Sequence, residues 1–442
     1  MIVVVGGGPA GRYAAMRLAA AGKEVRLVDK RSAGLGGQCL HEGCMVICAL
    51  NDVARLLDQI KSFNKMGFLN LSTGFSYPIL KSRMEEIIRE IAGILDKETK
   101  DAGVSVIFGT AELKGSSLFI DGVNTPAEAV VIATGAHPYI PDIPGSFFPG
   151  VYTAHTILSM KDLPDNMVII GSGVIAAEYA YIFSNFGVKV TILARSTFLR
   201  ALPGPLVDEA RKQLSDVVII ENATAREIKG NSEVSGVLIN DSEGTREIKT
   251  DVVLLAAGMV PNTGFISGIA LGKDGSLLVN ELMETSVPGV YAAGDVTGFS
   301  HLTPIARLMG RRAADTILGR ISASEPLTVP QAIKLRHDLA FCSNPGIDGK
   351  GISIPGPAGP GTFWQVPARQ TGFSMVGFDK NNKIISLSEA SPSASVAMAY
   401  LGWVINSGIE IEAFEKFIEV HPSSDGIPWL LKYMNGKKGM TE

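Results

Sequence analysis

Cysteine is scarce in this chain, with four among 442 residues. That count excludes a secreted disulfide scaffold, so each thiol has to be read for its own chemistry. Long apolar runs are missing too: none reaches the length of about 18 residues that a membrane-spanning helix needs. The opening Met1-Ile-Val-Val-Val-Gly6 has neither a basic lead nor a cleavage site, so no secretory signal is expected. Nor is there an excess of one charge. The 40 Lys and Arg face 44 Asp and Glu, a formal net charge of −4 with no block of like sign. Nucleic acid and acidic membrane are therefore not expected partners. Tandem repeats and low-complexity tracts are absent, and 46% hydrophobic residues exclude disorder. The expectation is a soluble, cytoplasmic protein of about three domains, at roughly 150 residues for each.

Glycine is what the chain has in excess: 49 of 442 residues, about 11% against a usual share of roughly 7%. Much of it falls in two fingerprints. Ile2 to Val5 reads as a buried strand, followed by Gly6, Gly8 and Gly11 in a G-x-G-x-x-G turn that holds Pro9 and Ala10. A helical pattern to Gly22 and a strand Glu24 to Val28 complete a βαβ unit, with Asp29 at its tip and Lys30 beside it. The glycines permit a tight turn and close approach of backbone to a pyrophosphate, while the helix N-terminus offers unpaired N–H groups. Asp29 is placed to accept from a ribose hydroxyl.

A second unit starts at Met167 to Ile170 and carries Gly171, Gly173, Val174, Ile175 and Ala176. At the tip of its second strand, Lys189 to Leu193, the acid is replaced by Ala194, with Arg195 and Arg200 following. Guanidiniums in place of a carboxylate welcome a 2′-phosphate, so NADPH is expected over NADH. Strand-like alternation runs on to Val252 to Leu255. Amphipathic helices are expected over Asn51 to Ile60 and Ser82 to Ala102. Pro138, Pro141 and Pro144 mark a boundary, and the character changes again past about residue 322. There, helical stretches are expected at Ser395 to Ser407 and Ile411 to Val420.

Between the first unit and its long helices lies Gly36-Gly37-Gln38-Cys39-Leu-His41-Glu-Gly-Cys44. Two thiols five positions apart are too far for a disulfide on a regular helix, so Cys39 is expected in a distorted turn leading into the helix that bears Cys44. Such a pair points to redox or metal chemistry. Cys39, His41, Cys44 and Cys48 could supply four ligands, although the spacing is not a paired C-x₂-C pattern. Cys342 reads as a small buried hydrophobe.

Taken together, the motifs resemble those of the FAD-dependent pyridine nucleotide–disulfide oxidoreductases, the family of lipoamide dehydrogenase, glutathione reductase and mercuric reductase. The resemblance spans the chain. It rests on Gly36-Gly-x-Cys39-Leu-x-x-Gly-Cys44, Ala133-Thr134-Gly135, Gly171-x-Gly173-x-x-Ala-x-Glu178, Gly258-x-x-Pro261-Asn262, Ala293-Gly294-Asp295, Leu302-Thr303-Pro304 and a late His421-Pro422.

The resemblance implies an α/β fold with two Rossmann-like dinucleotide-binding domains and a C-terminal α+β dimerisation domain. FAD binding would take residues 1–145 and 258–322, NAD(P) binding 146–257, and dimerisation 323–442. FAD would be held by Gly6, Gly8, Gly11, Asp29 and Asp295, with no metal. The nicotinamide nucleotide would dock at Gly171 to Glu178 and Arg195. Cys39 matches the thiol that attacks substrate and Cys44 the thiol that faces the flavin. His421, delivered by the second subunit of a homodimer and oriented by Asp425, would be the base. Electrons would then pass from NAD(P)H through FAD and a Cys39–Cys44 disulfide to a small thiol/disulfide substrate, a dihydrolipoamide-like one among the options.

This sequence departs from the family pattern just past Cys44, where Val46-Ile47-Cys48 replaces Pro-Ser-Lys. The lost lysine is the usual partner of the glutamate matched by Glu178, which is therefore expected protonated or paired elsewhere. Two other readings stay open from the sequence. One is a flavin oxidase or quinone/metal reductase with a vestigial cysteine pair; the other is a non-catalytic flavoprotein interaction subunit.

Overall fold

The computed structural model describes residues 1–320, 328–343, 350–354, 372–379, 383–418 and 426–438. Its first sheet is parallel throughout, in the order Val290–Ala292, Ala129–Ile132, Ile2–Val5, Val25–Asp29, Ser105–Phe108. Ile2–Val5 is at the centre, and its unbroken β-branched run is buried on both faces. Ile2 and Val4 pack on Leu18 and Ala314, from the helices Pro9–Ala20 and Thr303–Ile317. Val3 and Val5 face the opposite way, onto Leu113, Leu118 and Ile120 of a small sheet. At about 1.5–3 kcal/mol for each fully buried aliphatic side chain, this layer fixes the strand's register without help from turns.

The same plan recurs. A second parallel sheet runs Val218–Ile220, Lys189–Leu193, Asn166–Ile170, Val252–Leu255, Val151–Thr153. Met167 and Ile169 pack with Ala176 and Ala177 of the helix Val174–Asn185. Val168 and Ile170 pack with Ile228, Val237 and Ile239 of an antiparallel meander that spans Thr224–Gly230, Val234–Asp241 and Gly244–Lys249. One expectation fails here. The stretch between the strands Lys189–Leu193 and Val252–Leu255 is not all strand, because the helix Gly204–Gln213 interrupts it. That helix buries only Leu206, Ala210 and Gln213, a face too narrow to stand out against the β-branched residues around it.

The two long helices begin earlier than the pattern predicts, at Cys44–Lys65 and Tyr77–Asp101. Beyond residue 322 an antiparallel sheet forms in the order Gln331–Lys334, Asp338–Ser343, Ile384–Ser391, Phe373–Phe378, Lys350–Ile354. It is backed by Ala394–Asn406 and by Gly426–Lys438, a helix the sequence pattern did not suggest. Ile411–Lys416 is a 3-10 turn where a helix was expected. Among the described residues no helix is long and apolar enough to cross a membrane.

Candidate active site

The first fingerprint builds a cradle from backbone. A Cβ on Gly11 would lie 1.8 Å from the Gly6 carbonyl oxygen, so only glycine lets the helix Pro9–Ala20 seat against the strand before it. Gly37 has φ +60°, and its own Cβ would come within 2.7 Å of the Gly8 Cα, so two glycines from distant segments meet at the turn. Pro9 and Ala10 open the helix, where proline's missing N–H costs nothing. Asp29 accepts from the Gly7 N–H at 2.5 Å and, through its other oxygen, from the Arg31 N–H at 2.7 Å, which leaves lone pairs for a ribose. Lys30 is exposed.

Gln38 donates to the buried Asp295 carboxylate at 2.6 Å while its own Oε1 is buried with no partner. A buried orphan acceptor beside a glycine cradle fits a bound cofactor with hydrogen-bond donors, as FAD is. His301, from which nothing was expected, lies 3.5 Å from Asp295 and is held above its ordinary pKa by that carboxylate. Ala133, Thr134 and Gly135 follow the strand Ala129–Ile132, where the Thr134 hydroxyl and carbonyl are tied to Asn262.

The thiols lie where the turn was predicted. Gly37–His41 is a short helix, the chain breaks at Glu42 and Gly43, and Cys44 is the first residue of the next helix. Both cysteines are free thiols. Thr303, which opens its helix after the N-cap Leu302, donates to Cys39 Sγ at 3.2 Å and lies 3.8 Å from Cys44 Sγ. Cys39 is pulled down to about 6, chiefly by a hydrogen bond from Cys44, with Thr303 and the field of Arg307 adding to it. Cys44 is pushed up because it is the donor. The first negative charge therefore settles on Cys39, the usual requirement for a nucleophilic sulfur near neutral pH. The His41 ring nitrogen lies 3.2 Å from both the Gly34 and Leu35 carbonyls, and among the described residues no group of three or more ligands could hold an ion. Cys342 is fully buried, its thiol pushed up to about 12 by burial, as a packing residue should be.

Glu178, whose lysine was expected to be missing, has found another partner. Its Oε1 accepts from the Lys334 backbone N–H at 2.8 Å, while Arg55 of the helix Cys44–Lys65 donates to the Leu335 carbonyl. The strand Gln331–Lys334 is thereby clamped over the helix that carries the cysteines. Burial pushes the Glu178 carboxyl up to about 8, so it is neutral over most of the physiological range. Cys48 lies close enough to feel both Glu178 and Lys334.

The second fingerprint borders a cleft of about 760 Å³, which contains Gly171, Gly173, Val174 and Gly258. Arg195, Arg200 and Arg226 line it with a single carboxylate, Asp142. Ile175 continues the helix from Val174. Arg226 was not anticipated; it sits on the meander, on the third strand after the fingerprint. Gly294 precedes Asp295 with φ +81°. His421 and Asp425 lie outside the described residues.

Two glycine-lined nucleotide cradles and a helix-end dithiol define a two-nucleotide dithiol oxidoreductase scaffold. The family signature "Pyridine nucleotide-disulphide oxidoreductase" matches residues 1–314, and the chain belongs to that family. FAD and NAD(P)H are the family's cofactors. A soluble pyridine nucleotide transhydrogenase of Ectopseudomonas mendocina is 34% identical over 331 residues, covering 72% of this chain and 70% of the relative. A dihydrolipoyl dehydrogenase of Acholeplasma laidlawii is 31% identical, covering 72% and 96%. The HOCl-induced flavoprotein disulfide reductase RclA from Escherichia coli superposes with a TM-score of 0.84 at 27% identity, covering 96% of this chain and 98% of that one. LpdA from Mycobacterium tuberculosis gives 0.82 at 25%, covering 98% and 99%.

Proposed function

We propose that this chain is an NADPH-dependent disulfide reductase of the cytoplasm, in which Cys39 is the attacking thiolate and Cys44 the resolving thiol. The observation that carries this reading is the hydrogen-bonded trio Cys44, Cys39 and Thr303, which concentrates charge on Cys39. Residues 1–145 and 258–322 bind FAD, 146–257 bind the nicotinamide nucleotide and 323–442 form a homodimer interface. Gly6, Gly8 and Gly11 admit the pyrophosphate, Asp29 takes the ribose, and Gln38 with Asp295 hold the flavin end. Bound there, FAD would relay two electrons from the nicotinamide to a Cys39–Cys44 disulfide, which is thereby reduced to the dithiol. His421 of a second copy, oriented by Asp425, acts as general base toward Cys39 and gives that proton to the departing substrate thiolate. Cys39 attacks the substrate disulfide and releases one thiolate, and Cys44 then attacks Cys39 Sγ in the mixed disulfide and releases the other.

A second reading is favoured by the relatives named as transhydrogenases: hydride exchange between nicotinamide nucleotides, which needs no dithiol. Cys39→Ser separates the two. The disulfide-reductase reading expects disulfide reduction to fall to background while NADPH-dependent quinone reduction persists. Disulfide turnover surviving the substitution would sink it.

A further inference from the structure

The helix Thr303–Ile317 begins against the thiols and leads away from them. Arg307, one turn after Thr303, lies on the same side of that helix, with Cβ atoms at such spacing roughly 5–6 Å apart. Its guanidinium sits 5.2 Å from the centre of the Tyr13 ring, and Tyr13 is half-buried on the helix Pro9–Ala20. The arginine is thus parked on a fixed aromatic platform. It is exposed, has no carboxylate partner among the described residues, and its field reaches the Cys39 sulfur. Neither nucleotide site accounts for it. A cation held on an aromatic ring, one turn from the residue that touches Cys39, is a recognition element without an assigned ligand.

We propose that Arg307, held on Tyr13, receives a carboxylate of the substrate, and that the substrate class is a small disulfide with a carboxylate a few bonds from sulfur. The proposal rests on the disulfide-reductase reading and narrows it away from neutral, lipoamide-like disulfides. Guanidinium and carboxylate match as a two-point, charge-assisted pair, which fixes the disulfide in line for attack. The Cys39 thiolate forms a bond to one substrate sulfur, breaks the substrate S–S bond and releases the first thiolate. Cys44 then bonds to Cys39 Sγ and releases the second. Overall, one disulfide, NADPH and a proton give two thiols and NADP⁺.

Two measurements on the NADPH-reduced holoenzyme test this. The first compares alkylation of Cys39 by iodoacetate and by iodoacetamide, with the labelled residue identified by mass spectrometry, in the wild type and in Arg307→Gln. A change in thiolate fraction moves both rates alike, so their ratio isolates recognition of negative charge. The iodoacetate-to-iodoacetamide ratio is expected to fall about tenfold in the variant, and Arg307→Lys to restore part of it; an unchanged ratio overturns the proposal. The second compares dithiodipropionate with bis(hydroxyethyl) disulfide. Arg307→Gln is expected to cut kcat/KM for the acid about tenfold more than for the neutral disulfide, whose loss reports only the change at the Cys39 thiolate; equal losses overturn it. Failure of the parent reading looks different: the wild type reduces neither disulfide although the alkylation ratio still depends on Arg307. That result removes the proposal along with its parent.

Discussion

Glu178 accepts from the Lys334 backbone N–H at 2.8 Å, so a buried carboxyl on the nicotinamide-side helix is capped by a strand of the C-terminal sheet. The cap is a neutral dipole in place of the expected ammonium, and it does not offset the loss of water. Burial therefore dominates and lifts the group from its ordinary 4.5 to about 8. Below pH 4.5 the carboxyl is protonated in folded and unfolded chains alike. Between pH 4.5 and 8 the unfolded chain has released the proton and the folded chain has kept it, so stability falls as pH rises. The loss is complete above the folded value and amounts to a few kcal/mol, at about 1.4 for each pH unit. Glu178→Gln keeps the acceptor and has no proton to lose. Its melting temperature is expected to match the wild type near pH 5 and to exceed it by roughly several degrees at pH 9. Matching values at both pH settings would show that the carboxyl is hydrated.

Thr303 offers the complementary case, a donor that favours charge. Its hydroxyl points at Cys39 Sγ, and removing it takes away one of the groups that hold the thiolate near pH 6. Thr303→Val is expected to shift the midpoint of Cys39 alkylation by iodoacetamide upward by roughly one pH unit. Thr303→Ser is expected to leave it in place. A pH profile that does not move in the valine variant would reduce Thr303 to packing.

The parts of this site that were legible in the sequence are those whose chemistry is local. Gly6, Gly8 and Gly11 follow an unbroken β-branched strand, and the turn itself forces glycine. Cys39 and Cys44 sit in one nine-residue window, and their spacing already placed Cys39 off the regular helix that bears Cys44. What the sequence could not show depends on long-range contact. Lys334 caps Glu178 through its backbone, which any residue type but proline would provide. His301 has no motif of its own, and only the fold sets it beside Asp295. Tyr13 and Arg307 meet only because their two helices pack on the same face of the first sheet. Arg226 reaches the nucleotide cleft from a meander with no motif of its own. The helix Gly204–Gln213 was hidden for a different reason, since a buried face of three residues carries little periodic signal.

Arg226 gives the selectivity for the nicotinamide nucleotide its sharpest test. Arg195, Arg200 and Arg226 are exposed, lack carboxylate partners among the described residues, and line the cleft with Asp142 as the only acid. Glu221, which follows the strand Val218–Ile220, is already tied to Arg211 at 2.6 Å and to the Phe198 N–H. A 2′-phosphate entering this rim meets positive charge from both the fingerprint strand and the meander, whereas a bare ribose gains little from either. Replacing Arg226 by Gln is expected to lower kcat/KM for NADPH about tenfold and to leave NADH within about twofold. The Arg195, Arg226 double variant is expected to lose more than either single one and to abolish the preference. Because these contacts are ionic and exposed, the wild-type preference should also shrink as salt is raised, while the variant's should not. Equal losses with NADPH and NADH would mean that the arginines hold the pyrophosphate common to both nucleotides, and the preference for NADPH would then have no basis in this cleft.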